Sequence, residues 1–309
     1  MPQLTSRLYV VSFDHRASFR RDLFGLVGAV STADMARVRS AKRVIFDGFL
    51  WARASGAVEP SRTGVLVDTQ TGGHIAASAK RRGILLAIPV ERGGGQAVFE
   101  FDHGAEFGAH IERHDPDYAK VLVKYNPEGD QDANTLQRRR LRRLSGWLRE
   151  RGRRLLFELL VPPEPDQLRA LGGDAGRFDR DLRPGLVAAA VAELQASGVE
   201  PDIWKLEGLE RRADCALVAA QCRSGGRGHV ACVVLGRGAA TARVRHWLCQ
   251  AAAVDGFAGF AVGRTIWSEP LRAWLGGDLD RPAAAAAIGR RYLDLVRTFD
   301  AARRERAPS

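Results

Sequence analysis

Short apolar runs alternate along this chain with longer segments in which charged residues recur on one side. The apolar runs are nearly continuous, a pattern typical of parallel strands that are covered on both faces. Helical patterning separates them and first begins near Ser18. The predicted strands are 8–14, 64–68, 84–90, 120–126, 154–161, 202–208, 229–236 and 257–263, and the predicted helices are 31–54, 131–151, 183–197, 209–223, 240–253, a short one near 267–275, and 281–303.

Eight strand candidates that alternate with helices predict an α/β fold of the (β/α)8 TIM-barrel type. An open doubly wound sheet is the alternative, and the absence of a GxGxxG motif after the first strand disfavours it. No linker or repeat divides the chain, so we predict a single domain over residues 1–309, with a frayed basic tail from about 301.

Composition excludes several classes of protein. With 45% hydrophobic and 27% charged residues, the chain reads as globular, and no apolar run approaches the roughly 20 residues that span a bilayer. We read the N-terminus as a first strand rather than a signal peptide. The 4 cysteines form no CxxC pair and no histidine cluster has zinc-ligand spacing, which predicts a reduced cytoplasmic protein with no metal and no cofactor.

The net charge of +11 leaves two classes of partner, nucleic acid or an anionic small molecule. The arginines are scattered over predicted solvent-facing helices, and aromatic residues make up only 7% of the chain. No nucleic-acid-binding motif accompanies them, so we favour a small-molecule partner and expect neither nucleic acid nor membrane as partner.

One predicted strand, Pro201–Gly208, carries a lysine inside an apolar run. Burying an ammonium group costs several kcal/mol, roughly, unless the group is paired or loses its proton. A lysine that loses its proton is a nucleophile toward carbonyl carbon. Lys205 is therefore a candidate nucleophile, and the alternative is a lysine that faces solvent or pairs with Glu207.

In a barrel of this type, function belongs at the C-terminal ends of the strands. Polar residues follow or end each predicted strand. In chain order they are Asp14, His15 and Arg16, then Asp68, then Glu91 and Arg92, then Lys124, Asn126 and Glu128, then Glu158, then Lys205 and Glu207, then Arg237, and finally Arg264.

Three of these residues lie on neighbouring strands with apolar residues two positions away: Lys124, Glu158 and Lys205. If all three point into the barrel, a carboxylate lies between two ammonium groups. It would hold one lysine charged, while the second positive charge and desolvation favour a neutral amine on the other. This arrangement suits amine catalysis, and the alternative is a buried ion-pair triad that only sets strand register.

Two glycine-arginine segments follow the last strands. Gly236, Arg237 and Gly238 come after the seventh strand, and Gly263 and Arg264 come after the eighth. Loops at these positions commonly hold phosphate in this fold, because glycine exposes backbone N–H groups and arginine binds an anion with two hydrogen bonds. The alternative is that both arginines pair with barrel carboxylates.

Motifs spread from about residue 7 to 300 resemble the C-terminal domain, of the DUF2090 type, of the bacterial myo-inositol catabolism protein IolC. They also resemble, more faintly, the class I tagatose-1,6-bisphosphate aldolase family. The motifs are FDHR at the end of the first strand, then VLVKYNPEGD, LLFELLVP, PDIWKLEG, VVLGRG and AVGRTIW.

The resemblance implies a Schiff-base lysine at Lys205, a second lysine at Lys124 and a proton-shuttling glutamate at Glu158. It also implies an acidic residue at Asp14 and a phosphate-binding arginine at Arg264. The chain departs from the tagatose enzymes in its more basic Gly236–Gly238 loop. Asn126 and Glu207 look particular to the inositol domain and are candidate substrate contacts, as is Arg16.

The resemblance thus implies a class I aldolase that cleaves a phosphorylated keto sugar or keto sugar acid. Its first candidate substrate is 2-deoxy-5-keto-D-gluconate 6-phosphate, which yields dihydroxyacetone phosphate and malonate semialdehyde. The alternative is a non-catalytic, regulatory barrel that binds a sugar phosphate. A homo-oligomer is compatible with either, and the sequence leaves open whether Lys205 or Lys124 forms the imine.

Overall fold

Eight parallel strands close into a barrel in sequence order, in a computed structural model that describes residues 7–94 and 96–305. Each strand pairs with its neighbours in the chain, and β8 closes the barrel against β1. The strands are β1 Leu8–Ser12, β2 Thr63–Leu66, β3 Leu85–Pro89, β4 Tyr118–Lys124, β5 Arg154–Leu160, β6 Ile203–Glu207, β7 Ala231–Leu235 and β8 Phe257–Val262.

Helices follow the strands and form the outer layer. They are α1 Ala17–Phe24, α2 Thr32–Ala54, α3 Thr69–Arg81, α4 Phe107–His114, α5 Gln131–Glu150, α6 Pro165–Ala170, α7 Ala175–Arg177, α8 Arg183–Ala196, α9 Arg212–Arg223, α10 Thr241–Ala252, α11 Arg264–Gly276 and α12 Arg281–Arg304. Short 3₁₀ turns occupy Pro60–Arg62 and Gly104–Glu106, and a π turn at Phe178–Leu182 leads into α8.

The predicted barrel is confirmed, and the open doubly wound sheet is wrong. All eight strand candidates form strands in the predicted order, although most are a few residues shorter than their apolar runs. The helix near 267–275 begins earlier than predicted, at Arg264, which places that arginine in a first helical turn. The predicted frayed tail begins inside α12, and its last residues, 306–309, lie outside the described part of the chain.

Helix α3 was not predicted, because Gly72 and Gly73 fall in its first half and glycine disfavours a helix interior by about 1 kcal/mol. The helix forms nonetheless because its start is well capped. The carboxylate of Asp68 accepts a hydrogen bond from the backbone N–H of Thr71 at 2.7 Å. Gly72 packs against Val67 so closely that a Cβ atom there would lie 2.2 Å from Val67 Cγ2.

The core consists of two layers. The larger layer fills the space between the barrel and the helices. The smaller one lies inside the barrel and is built from alternate strand residues: Leu8, Val10, Leu66, Ala87, Tyr118, Leu156, Ile203, Val233 and Ala261. Because strand side chains alternate in direction, the residue two positions further along each strand also points inward, one layer nearer the C-terminal mouth.

No helix in the described ranges is long and apolar enough to cross a membrane. Three of the four cysteines, Cys215, Cys222 and Cys232, are buried, which agrees with their predicted role as small core residues, while Cys249 is exposed.

Candidate active site

A layer of charged side chains lies above the apolar floor of the barrel. Lys120, Glu158 and Lys205 each come two residues after a member of the inner apolar layer, so the alternation of strand side chains points all three inward. Glu158 and Lys205 are direct partners in the pairing of β5 with β6. The exposed fractions of the three residues are 1%, 7% and 4%, so burial makes their charges costly unless they are paired.

The charged groups are paired with one another. Glu158 lies between two ammonium groups, with its Oε1 atom 3.0 Å from Lys205 Nζ and its Oε2 atom 3.0 Å from Lys120 Nζ. Lys120 Nζ also donates to Asp14 Oδ2 at 2.9 Å and to Glu91 Oε1 at 2.8 Å. Lys120 therefore joins three carboxylates, whereas the ion pair recorded for Lys205 within the described residues is with Glu158 alone.

The electrostatics follow from this pairing. Burial opposes the charged forms, but the ammonium groups of Lys120 and Lys205 outweigh it and hold the pKa values of Asp14 and Glu158 below their usual ranges. Burial also opposes the charge on Lys120, yet its three carboxylates raise the pKa of that lysine well above its usual value. Burial dominates at Glu91 and raises its pKa.

The lysine of β4 that holds Glu158 charged is Lys120, and our assignment of that role to Lys124 is corrected by the structure. Both side chains point inward, because they lie four residues apart on one strand. Lys120 lies deeper, at the level of Glu158, and Lys124 lies two layers further out, beyond Leu122. Lys124 lines both lobes of the cavity described next, together with Glu158 and Lys205.

The mouth of the barrel holds a cavity with two lobes that share the Glu158–Lys205 pair. One lobe, of about 380 Å³, extends over β6 to β8 and reaches Arg264 and Gly236. The other, of about 340 Å³, extends over β1, β3 and β4 and reaches Arg16. Lys205 is therefore accessible from both lobes. A nucleophile that attacks the middle of a substrate needs such a position, with one end of the substrate in each lobe.

Of the two arginines predicted to bind an anion, Arg237 pairs with protein carboxylates instead. Its Nε atom lies 3.2 Å from Glu207 Oε1, and its Nη1 atom lies 3.0 Å from Asp179 Oδ2. Glu207 also lies 3.5 Å from Arg183 Nε and accepts the Val161 N–H at 2.9 Å. The alternative reading, an arginine paired with barrel carboxylates, therefore holds for Arg237, and Glu207 supports the wall of the cavity.

Arg264 differs, because no carboxylate partner is recorded for it in the described parts of the chain. Its Nη2 atom donates to the backbone oxygen of Arg237 at 3.0 Å, and its side chain is exposed at the mouth. Arg264 is the first residue of α11, where backbone N–H groups lack helical partners and the helix dipole is positive. The exposed guanidinium, the free N–H groups and the positive end of the helix dipole together favour the binding of an anion.

The glycines predicted to cradle an anion, Gly236, Gly238 and Gly263, all line the lobe that Arg264 borders. A Cβ atom on Gly263 would lie 2.3 Å from the backbone oxygen of Ser12, so only glycine fits where the end of β8 lies beside β1. Gly238 adopts a positive φ of 73°, which a larger residue would strain.

The two remaining predicted substrate contacts have protein partners. Arg16 lines the second lobe, where it pairs with Asp102 Oδ2 at 2.8 Å and donates to the backbone oxygen of Glu91. Asn126 is 3% exposed, and its side-chain amide donates to Pro162 O and Gln167 Oε1, both at 2.8 Å. Asn126 therefore organises the loop after β4, and the prediction that it contacts substrate is not supported by its position.

Sequence reasoning missed Lys120 as a site residue, although it has the same parity on its strand as Lys124. It also missed Lys42, which lies on α2 and is completely buried. Lys42 Nζ forms an ion pair with Asp68 and donates to the backbone oxygen of His15 at 3.0 Å. A lysine in an amphipathic helix gives no sequence signal for this role, since most such lysines face solvent.

The described residues contain no group of three or more His, Cys, Asp or Glu side chains able to hold a metal ion.

Comparison with known proteins gives the family. Residues 2–303 match the family described as "Uncharacterized protein conserved in bacteria (DUF2090)". The chain belongs to this family. None of the curated proteins compared with it matches significantly.

Among solved structures, the DUF2090 chain is similar in fold to the fructose-bisphosphate aldolase of Plasmodium falciparum, solved in complex with TRAP and a small-molecule inhibitor. The TM-score is 0.70, with 99% of this chain and 93% of the aldolase chain covered, at 10% sequence identity. At that identity the likeness establishes the barrel architecture and leaves the chemistry to be argued from the site.

Proposed function

We propose that this protein is a class I aldolase in which Lys205 forms a Schiff base with a phosphorylated keto sugar or keto sugar acid. The observation that supports it best is the buried pair of Lys205 with Glu158, at 3.0 Å, open to both lobes of the mouth. A nucleophilic amine needs an acid/base at hydrogen-bond range, and Glu158 fills that position. The fold shared with an aldolase is consistent with this chemistry.

In the proposed reaction, the amine of Lys205 adds to the ketone carbon to give a carbinolamine, which loses water to form an iminium ion. Glu158 moves the protons of that dehydration. It then takes the proton of the hydroxyl group across the scissile bond, so that the C–C electron pair moves into the enamine on Lys205. The enamine is reprotonated at carbon, and water hydrolyses the iminium to release the second product.

Lys120 and its carboxylates support Glu158 rather than react. Lys120 Nζ fixes the second oxygen of Glu158 at 3.0 Å, which holds the carboxylate in one orientation toward Lys205. Asp14 also anchors Lys120, with its Oδ2 atom 2.9 Å from Lys120 Nζ. The candidate role of Asp14 is thus to position the lysine, and any direct contact with substrate would come second.

The substrate class follows from the two lobes and their arginines. Arg264, with the glycine-lined start of α11, is the proposed phosphate site. The second lobe, lined by Arg16, Arg92 and Lys124 together with carboxylates such as Glu91 and Glu100, would accept the other end of the substrate, and its cationic residues outnumber its carboxylates. A keto sugar acid phosphate such as 2-deoxy-5-keto-D-gluconate 6-phosphate has an anionic group at each end and is our first candidate.

Borohydride trapping tests the proposal. Dihydroxyacetone phosphate or the keto sugar acid phosphate, added with borohydride, should add the mass of the reduced adduct to the peptide that contains Lys205. Lys205→Met should abolish the adduct, whereas Lys80→Met, which changes an exposed ion-paired lysine, should leave it unchanged. No adduct with any phosphorylated ketose tried would refute the aldolase and favour a barrel that only binds sugar phosphate.

A further inference from the structure

His15, which directly follows Asp14 beyond β1, occupies a place in the mouth that the proposed mechanism does not use. His15 lines both lobes of the cavity and also a third, smaller cavity of about 230 Å³ that Arg264 lines as well. It is the residue shared by all three spaces. A ligand that extends from Lys205 toward Arg264 would therefore pass the imidazole.

The imidazole is held in position by packing and by its backbone. Its ring lies edge-on to the indole of Trp267, with centroids 5.8 Å apart and planes at 75°. Trp267 Nε1 is fixed in turn by a hydrogen bond to Ser12 O at 3.0 Å. On the other side, Gly263 packs closely against the ring, since a Cβ atom at that position would lie only 3.2 Å from His15 Cε1. The buried ammonium of Lys42 holds the His15 carbonyl at 3.0 Å.

The hydrogen-bonding state of the ring follows from its surroundings. Nδ1 is buried and has no hydrogen-bond partner among the described residues. An unpaired N–H in that place would cost more than an unpaired lone pair, since buried orphan N–H groups are the rarer defect. The neutral tautomer with hydrogen on Nε2 is therefore favoured, and Nε2 is the nitrogen left to face the cavity.

The neighbouring charges keep this ring neutral. Burial is the largest cause that lowers the pKa of His15, to about 4, and the positive charges of Arg264 and Lys205 act in the same direction. The carboxylates of Asp14 and Glu158 oppose the shift without overcoming it. Near neutral pH, His15 thus offers the cavity a fixed, uncharged N–H donor.

We propose that His15 is a further catalytic residue, whose Nε2–H donates a hydrogen bond to the substrate oxygen that gains negative charge when the C–C bond breaks or forms. The proposal rests on the aldolase function proposed above. In cleavage, Glu158 takes the proton of the hydroxyl group and His15 stabilises the resulting alkoxide. The alkoxide collapses to an aldehyde as the C–C pair moves into the enamine, and the proton of His15 stays on Nε2 throughout.

Two variants separate a donor from a proton acceptor. His15→Leu removes the donor and should lower kcat for cleavage by roughly 100- to 1000-fold, the usual effect of losing one such donor. His15→Gln keeps an N–H near the position of Nε2 and should stay within about tenfold of wild type. Borohydride trapping on Lys205 should persist in both, and His229→Gln, an exposed histidine at the opposite end of the barrel, should change neither readout.

Three results would overturn the proposal. If His15→Leu and His15→Gln lost kcat equally, His15 would act as a proton acceptor. If both variants lost borohydride trapping, its role would be structural. If His15→Leu kept the wild-type kcat, His15 would take no part in the reaction. If borohydride traps no ketose on the wild-type protein, the aldolase proposal itself is refuted. A spectroscopic test then determines the tautomer and charge of His15 independently.

That test uses protein labelled with nitrogen-15 at histidine. Long-range nitrogen–proton spectra should show His15 as the neutral Nε2–H tautomer at pH 7, protonated only near pH 4, with a shift on addition of dihydroxyacetone phosphate. A charged ring or an Nδ1–H tautomer at pH 7, or no response to the probe, would contradict the donor role whatever the fate of the aldolase.

Discussion

Replacing Lys120 by methionine would remove the cation that joins Asp14, Glu91 and Glu158. Methionine keeps most of the length and apolar stem of lysine, so the change is chiefly one of charge. Glu158 would keep its ion pair with Lys205, whereas Asp14 and Glu91 would each lose the ammonium that they contact in the barrel. The variant therefore measures the contribution of this cluster to stability.

The magnitude follows from burial. Lys120 is 1% exposed, and removal of one partner from a buried ion pair costs about 3–5 kcal/mol. Total stability of a domain is roughly 5–15 kcal/mol, so Lys120→Met should fold but unfold at much lower urea concentration. Lys80→Met is the control, since Lys80 and Asp115 form an exposed pair of a kind worth at most about 1 kcal/mol.

The Lys120→Met substitution should also change how the free energy of unfolding depends on pH. In wild type the folded pKa values of Asp14 and Glu158 lie below their unfolded values, so their contribution is present above about pH 4–5 and is lost on acidification. Without Lys120, Asp14 loses the largest cause that lowers its pKa while burial still raises it, so we expect its folded pKa to move above the unfolded value. Its contribution is then present below the unfolded pKa of about 4 and is lost as pH rises.

Urea unfolding followed by circular dichroism at pH 5.0 and 7.5 gives the comparison. Relative to wild type, Lys120→Met should lose more stability at pH 7.5 than at pH 5.0, whereas Lys80→Met should show little difference between the two pH values. Adding Glu91→Gln to Lys120→Met should restore part of the loss, because it removes one unpaired buried charge. If Lys120→Met matched Lys80→Met at both pH values, our account of the cluster would be refuted.

Further predictions concern the mouth. Arg264→Ala should weaken the binding of dihydroxyacetone phosphate, measured by calorimetry, roughly 10- to 150-fold, because a charged hydrogen bond contributes about 1.5–3 kcal/mol. The stability of the fold should change little. Arg264→Lys should recover only part of the lost affinity. Unchanged binding would make Arg264 structural. Gly263→Ala should lower stability by about 1–3 kcal/mol, since its Cβ would lie 2.3 Å from Ser12 O, and a wild-type melting curve would contradict that. Cleavage should survive EDTA; loss of activity that zinc restores would exclude a metal-free mechanism.

The sequence predicted the barrel because its strands carry an unambiguous pattern. Each of the eight apolar runs is too short for a helix, and most of them are followed by a segment with helical patterning. The helices that escaped prediction have weak patterns: α3 contains two adjacent glycines, α4 follows a long irregular segment after β3, and α6 and α7 are only six and three residues long. Capping and packing decide such helices, and neither can be seen in a short stretch of sequence.

The site was predictable in outline but not in detail. Glu158 and Lys205 could be placed side by side, because strand alternation and barrel order fix their direction and their neighbours. Depth could not be fixed, since parity points both Lys120 and Lys124 inward and only the stagger of the strands decides which meets Glu158. The pairing of Arg237 with Glu207 was likewise open, because it depends on the loop after β7, where Arg237 adopts a positive φ of 52°.

The geometry also bears on which lysine carries the imine. Lys120 holds three carboxylates and is 1% exposed, so its conversion to an iminium would break contacts that anchor the site. Lys205 is bound to Glu158 alone among its recorded ion pairs and lines both lobes, so its nitrogen can bond to carbon while Glu158 stays fixed by Lys120. Lys124 lies nearer the mouth, two layers above Glu158, where it lines both lobes. The same two-residue alternation that builds the floor of the barrel thus separates the lysine that anchors the carboxylates, the lysine that we propose as the nucleophile and the lysine at the entrance.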